Sequence, residues 1–252
     1  MRLRGRPMGG SLAYVLWHDS DDWSMIETAI YVMGADGADP RLLSDRRGWE
    51  HAAPAWSSDG KRIAFWRGRY DDKSDQIRGD IYVVEVDGGS ERRLTHTLGD
   101  QSGFGFDWSP DGKQIVVASN RDGNYDLYLI DTNGAGERQL TRTPQDESQP
   151  LWAPDGHSIA FSRVSSTDEE SAIVVMEVDS DRERVLSPAG RADVAQAWSP
   201  DGVQIVFTRG STRSEKLWMM DADGTHARRV GGPYSEASLG VDWAPAPSGA
   251  TS

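Results

Sequence analysis

The chain has no cysteine. That removes disulfide cross-links, thiolate metal ligands and cysteine nucleophiles together. Histidine is scarce, five in 252 residues, and His51, His96, His157 and His226 fall in separate loops rather than in a cluster. No apolar run approaches the roughly 18 residues that a membrane-crossing helix requires, so membrane insertion is not expected. Positive charge is in deficit: 27 Lys and Arg stand against 40 Asp and Glu, a formal net charge of -13. Such a balance repels phosphate backbones, and no nucleic-acid partner is expected. A 3.6-residue apolar period is missing as well, which argues against a helical fold.

Glycine and tryptophan are plentiful, 27 and 10 residues, and their spacing forms a repeat. Trp56, Trp108, Trp152 and Trp198 sit in AWSSDG, DWSPDG, LWAPDG and AWSPDG, and Trp243 sits in DWAP. Each of the first four is followed by a short apolar run (RIAFW, QIVVA, SIAFS, QIVFT), then by a variable polar stretch and a second run (DIYVVEVDG, DLYLIDTNG, AIVVMEVDS, KLWMMDADG). Arg92, Arg138, Arg184 and Arg228 then open RRLT, RQLT, RVLS and RRVG. The N-terminus carries the same module without its Trp element: LAYVLW, AIYVMGADG and Arg41 in RLLS.

Each module reads as four short strands, A to D, β-branched and aromatic and bounded by Asp-Gly turn chemistry. A sheet of this size cannot bury both faces alone, and radial stacking is the economical solution. The expected fold is therefore all-β: a five-bladed β-propeller of four-stranded antiparallel blades. Its ring would be closed by a C-terminal strand A at 238 to 244 joining N-terminal strands B, C and D from 12 to 45. One domain is expected over residues 11–245, with disordered tails at 1–10 and 246–252.

The register W-S-P-D-G-K, then I-A-F, then D-L-Y-L-x-D and R-x-L-T resembles the repeat of TolB-like propellers, also called PD40 or WD40-like repeats, with SNRDGNYDLYLID at 119 to 131 the best match. The resemblance implies a propeller whose relatives include the periplasmic TolB protein, which binds protein partners, accessory domains of prolyl oligopeptidase-like and tricorn-type proteases, and sugar-acid lyases. TolB itself has six blades and an extra domain, and five modules are counted here.

Within the repeat the structural readings come first. Trp56, Trp108, Trp152, Trp198 and Trp243 read as packing between blades. The Asp-Gly carboxylates read as turn caps rather than calcium ligands, since the downstream Glu of a calcium loop is absent. The Arg residues opening strand D read as partners of neighbouring carboxylates.

Function is expected where the repeat varies. The B-to-C loops and D-to-A segments share one face of a propeller, and they supply Trp23, Trp49, His51, Tyr70, Phe104, Arg121, Tyr125, Gln149 and Tyr234 as rim candidates. Rings give area and the polar groups give specificity, which suits a protein or peptide, with a carbohydrate as the alternative. His18, Asp19, Asp21 and Asp22 form a dense run that reads as solvated charge. Asp107 and Asp242, each just before a module Trp, are weak candidates for a channel cation, and no other cofactor is expected. No G-x-S-x-G element is present, which argues against a serine hydrolase.

The reading is thus a non-catalytic protein- or peptide-binding or scaffold propeller, monomeric. The alternatives are a carbohydrate-binding or carbohydrate-active lyase or hydrolase, and an accessory or sensor module of a larger protein. MRLRGRPMGG is basic but is followed by no sufficient apolar stretch. A cytoplasmic location is expected if Met1 is the native start, with a periplasmic or extracytoplasmic one as the alternative.

Overall fold

The Asp-Gly turns set the strand boundaries. Asp59 Oδ1 accepts hydrogen bonds from the Ser57 hydroxyl at 2.6 Å and the Lys61 amide at 3.0 Å. Asp111 does the same for Ser109 at 2.8 Å and Lys113 at 3.0 Å, and Asp201 for Ser199 at 2.6 Å and Val203 at 3.2 Å. These donors hold all three carboxyls below the usual carboxylate range. Gly60 and Gly112 follow at φ 65° and 68°, a conformation in which a side chain would be strained. The turn-cap reading of these aspartates is therefore the correct one.

The computed structural model describes residues 4–5, 10–18, 27–72, 76–96, 105–164, 170–187, 190–210 and 215–230. Among them there is no helix, and twenty strands form five four-stranded antiparallel sheets. The chain divides into two compact units, residues 1–141 and 142–252.

In the first unit, sheet 1 holds β1 (Arg4–Gly5), β2 (Ser11–His18), β3 (Glu27–Gly34) and β4 (Arg41–Asp45). Sheet 2 holds β5 (Glu50–Trp56), β6 (Arg62–Asp71), β7 (Gln76–Glu85) and β8 (Arg92–Arg93). Sheet 3 holds β9 (Phe106–Trp108), β10 (Gln114–Ser119), β11 (Asp126–Asp131) and β12 (Glu137–Gln139). In the second unit, sheet 4 holds β13 (Asp146–Trp152), β14 (Ser158–Val164), β15 (Ser171–Glu177) and β16 (Arg182–Val185). Sheet 5 holds β17 (Asp193–Trp198), β18 (Gln204–Arg209), β19 (Lys216–Asp221) and β20 (Arg228–Arg229). Five sheets match the five expected blades. The strand-A edge of sheet 1 is taken by β1, with Arg4 opposite Ala13 and Gly5 opposite Leu12. Residues 238–244, expected there, lie outside the described residues, as does Trp243.

Period-2 alternation sends one face of each strand into a neighbour. Ala13, Ile30 and Val32 of sheet 1 meet Trp56, Phe65, Tyr82 and Val84 of sheet 2. The other face of sheet 2, with Ala64, Trp66, Ile81 and Val83, meets Trp108, Ile115, Val117 and Tyr128 of sheet 3. In the second unit Ala160, Ile173 and Val175 meet Ala195, Ile205, Phe207 and Met220. Phe65, Phe161 and Phe207 occupy the same strand-B position and are fully buried, each worth about 2–3 kcal/mol of transfer free energy. Gly68 and Gly79 stand opposite one another because the Trp66 indole crosses them: an added Cβ at Gly79 would lie 2.4 Å from that ring.

The repeated Trp does pack between sheets, and it also bonds. Trp108 Nε1 donates to the Ala55 carbonyl of sheet 2 at 3.0 Å, and Trp198 Nε1 to the Leu151 carbonyl of sheet 4 at 3.2 Å. Trp56 and Trp152 are buried. Three of the five arginines opening strand D depart from the expected carboxylate pairing, and a fourth, Arg228, donates to Met219 Sδ at 3.3 Å in its own sheet. Arg41 donates to the Val86 carbonyl of sheet 2, Arg92 to the Thr132 and Asn133 carbonyls of sheet 3, and Arg184 to the Ala222 carbonyl of sheet 5. The partner of these three is the main chain of the next sheet, because the third turn presents outward carbonyls that no ladder uses.

Candidate functional site

The sixth residue of strand B is arginine in three of the sheets, and each faces a residue five positions before a module Trp. Arg67 stands opposite His51, Arg163 opposite Glu147, and Arg209 opposite Asp193. His51, Glu147 and Asp193 are all essentially inaccessible, at 1%, 0% and 0% exposure. Arg209 forms a bidentate pair with Asp193, both bonds at 2.7 Å, and stacks 4.5 Å from the Trp218 ring. Arg163 bonds Glu147 at 2.9 Å and also takes Glu183 of strand D in a 2.8 Å fork. In sheet 3 the strand-B slot is Ser119, and Arg121 reaches back from the following turn to Ser119 Oγ at 3.1 Å and to Glu137. Two slots supply the carboxylates, the strand-A residue opposite and the residue before the strand-D arginine, and each of these four arginines is paired at one or both.

Sheet 2 is the exception on strand A. Arg67 bonds Glu91 of the strand-D segment at 2.5 Å and lies 3.7 Å over Tyr82. Glu91 is held in turn by the Ser44 hydroxyl of sheet 1 at 2.6 Å. The strand-A slot holds His51, whose two ring nitrogens have no hydrogen-bond partner among the described residues, and Arg67 Nε has none there either. Burial, and then the Arg67 charge, push the His51 imidazole down to about 4, so it is neutral at pH 7.

One step beyond His51 the same sheet reaches solvent. The β6–β7 hairpin carries Arg69 opposite Arg78 and Tyr70 opposite Ile77. The guanidinium groups of Arg46 and Arg69 lie 4.7 and 4.9 Å from the Trp49 ring centre. Tyr70 is 54% exposed, on the opposite face of the hairpin. Burial also raises the carboxyl of Glu50, next to Trp49.

Among the rim candidates, Trp49, His51 and Tyr70 belong to this end of sheet 2, with His51 beneath the surface and Tyr70 on the face opposite Arg69. Arg121 is committed to Glu137 and to the Tyr128 ring at 4.1 Å. Tyr125, in the same connection, is half-buried. Gln149 sits in a strand-A bulge at φ 53°, a conformation shared by Ala53 in sheet 2, so its geometry belongs to the repeat. Trp23, Phe104 and Tyr234 lie outside the described residues, with Asp19, Asp21, Asp22 and Asp242. Asp107 is half-buried on β9. Among the described residues no group of three or more His, Asp or Glu is placed to hold a metal ion. Arg46 and Arg69, which the sequence reading passed over, were visible as RR and RGRY beside Trp49 and Tyr70.

The TolB β-propeller domain profile matches residues 7–246. A protein of Agrobacterium fabrum, itself uncharacterized, is 37% identical over 109 residues, covering 43% of this chain and 33% of the relative. The crystal structure of TolB from Acinetobacter baumannii superposes with a TM-score of 0.62 at 21% identity, covering 85% of this chain and 49% of TolB. The β-propeller domain of the Trilobed protease from Pyrococcus furiosus superposes at 0.64 with 18% identity, over 91% of this chain and 70% of that one. At these identities the structural likeness concerns the fold alone. The chain spans about a third of the Agrobacterium relative and about half of the Acinetobacter protein.

Proposed function

Because the chain belongs to the TolB β-propeller family, we propose that it is a non-catalytic binding or scaffold module that holds a protein or peptide through the exposed end of sheet 2. The observation that carries this reading is the Trp49 ring shared by Arg46 and Arg69, with Tyr70 exposed on the other face of the same hairpin. Trp, Tyr and Arg dominate binding energy at protein interfaces, since rigid rings and planar donors bury area at small entropic cost. A photoreactive benzophenone side chain at Tyr70 should therefore form adducts with a polypeptide in a source lysate, and Trp49→Ala should abolish them. A probe at Val203, equally exposed on sheet 5, is the comparison. Equal adducts from both positions, or adducts to glycan alone, would remove the reading.

Two finer readings accompany it. Ring closure by 238–244 fits β2, because β1 pairs only with Leu12 and Ala13 while β2 runs on to His18. Deleting 238–252 should then lower the melting temperature by at least several degrees more than deleting 1–9, and the reverse order would assign the edge to β1 alone. Membership of the TolB family fits the periplasmic alternative for the compartment and lends the cytoplasmic one no support. Fractionation of source cells decides it.

A further inference from the structure

We propose that the Arg46, Trp49 and Arg69 cluster is a subsite for an acidic peptide segment, an inference that rests on the binding reading above and names its partner's chemistry. The chain carries 40 acidic side chains against 27 basic ones, yet Arg46, Arg47 and Arg69 have no carboxylate partner among the described residues. All three are exposed. The hairpin carries an electrostatic cost in this arrangement. Arg69 stands directly across the ladder from Arg78, and like charges at a cross-strand pair destabilise a hairpin. Arg78 has Asp71 at 3.7 Å, whereas Arg69 lies against the face of Trp49. A carboxylate arriving between these groups would remove the repulsion and take up guanidinium donors whose planes the indole already holds.

The ring argues further for a peptide. A pyranose needs a bare aromatic face to stack on, and the Trp49 face is occupied by guanidinium groups. A flexible chain with carboxylates on side chains can reach the guanidinium edges from outside and place an apolar side chain on Tyr70, across the hairpin. The net charge of -13 opposes a long polyanion, so the segment is short, and steering is local.

The test uses a fluorescein-labelled heptapeptide alternating Glu with Tyr and Leu, its Glu→Gln counterpart, and tetragalacturonate as competitor, read by anisotropy. The Glu peptide should bind. Binding should weaken about tenfold or more in Arg46→Ala/Arg69→Ala and stay unchanged in Lys61→Ala, a cation at the opposite turns. It should also fall several-fold as salt rises from about 50 to about 300 mM. Equal binding of the Gln peptide, or indifference to the double substitution, overturns the proposal. Stronger binding of tetragalacturonate than of the Glu peptide overturns it in favour of an anionic sugar. Loss of Tyr70 adducts in Trp49→Ala but not in Arg46→Ala/Arg69→Ala would overturn the acidic partner and leave the binding module standing.

Discussion

Replacing Asp193 with Ala is expected to destabilise the protein by about 3–5 kcal/mol, the cost of leaving a buried charge without its partner. The geometry that makes this substitution severe is the strand-D slot of sheet 5. Glu91, Glu137 and Glu183 precede the strand-D arginine in sheets 2, 3 and 4, and Ala227 takes that position in sheet 5. Among the described residues Arg209 therefore has one carboxylate, and the substitution removes both 2.7 Å bonds at once. Glu147→Ala offers the comparison, because Arg163 would retain its fork to Glu183, and its cost should be clearly smaller. Denaturant midpoints for the two variants check the argument. Equal losses would show that the strand-D slot contributes nothing.

Acid should weaken the protein partly through His51. Its folded pKa of about 4 lies below the ordinary value of 6.5. A histidine whose pKa is lowered by folding contributes stability that is fully present above about pH 6.5 and is lost as pH falls towards about 4. At pH 4.5 the loss amounts to about 2.5 kcal/mol. His51→Gln cannot be protonated, so the variant should lose about that much less than the parent between pH 7 and 4.5. The capped carboxylates Asp59, Asp111 and Asp201 also lose stability in acid, but they do so in both proteins and cancel in the difference. Parallel pH profiles would mean that the imidazole finds a partner in solution.

The repeat was legible in the sequence because turn and strand chemistry are local. Asp59, Gly60 and Trp56 announce a turn and a packing site within five residues. The arginine slots were harder, since Arg67, Arg163 and Arg209 meet carboxylates 16 to 24 residues away in the sequence. One signal did exist: His51, Glu147 and Asp193 share a position relative to the module Trp, so His51 belonged to the buried row and not to the rim. The Arg46 and Arg69 cluster was hidden by averaging, as a net charge of -13 masks a local excess of the other sign. The pairing of Arg4 and Gly5 with β2 carries no strand signature and comes from tertiary context alone.

Three strand-D arginines, Arg41, Arg92 and Arg184, reach main-chain carbonyls of the next sheet rather than side chains. Every residue type carries a carbonyl, so the receiving turn can mutate freely without releasing its neighbour. A duplicated or diverging module needs to keep one arginine of its own and asks nothing of its neighbour's side chains. Copy number and loop content are then free to drift separately, as expected of a lineage that lengthens by tandem duplication.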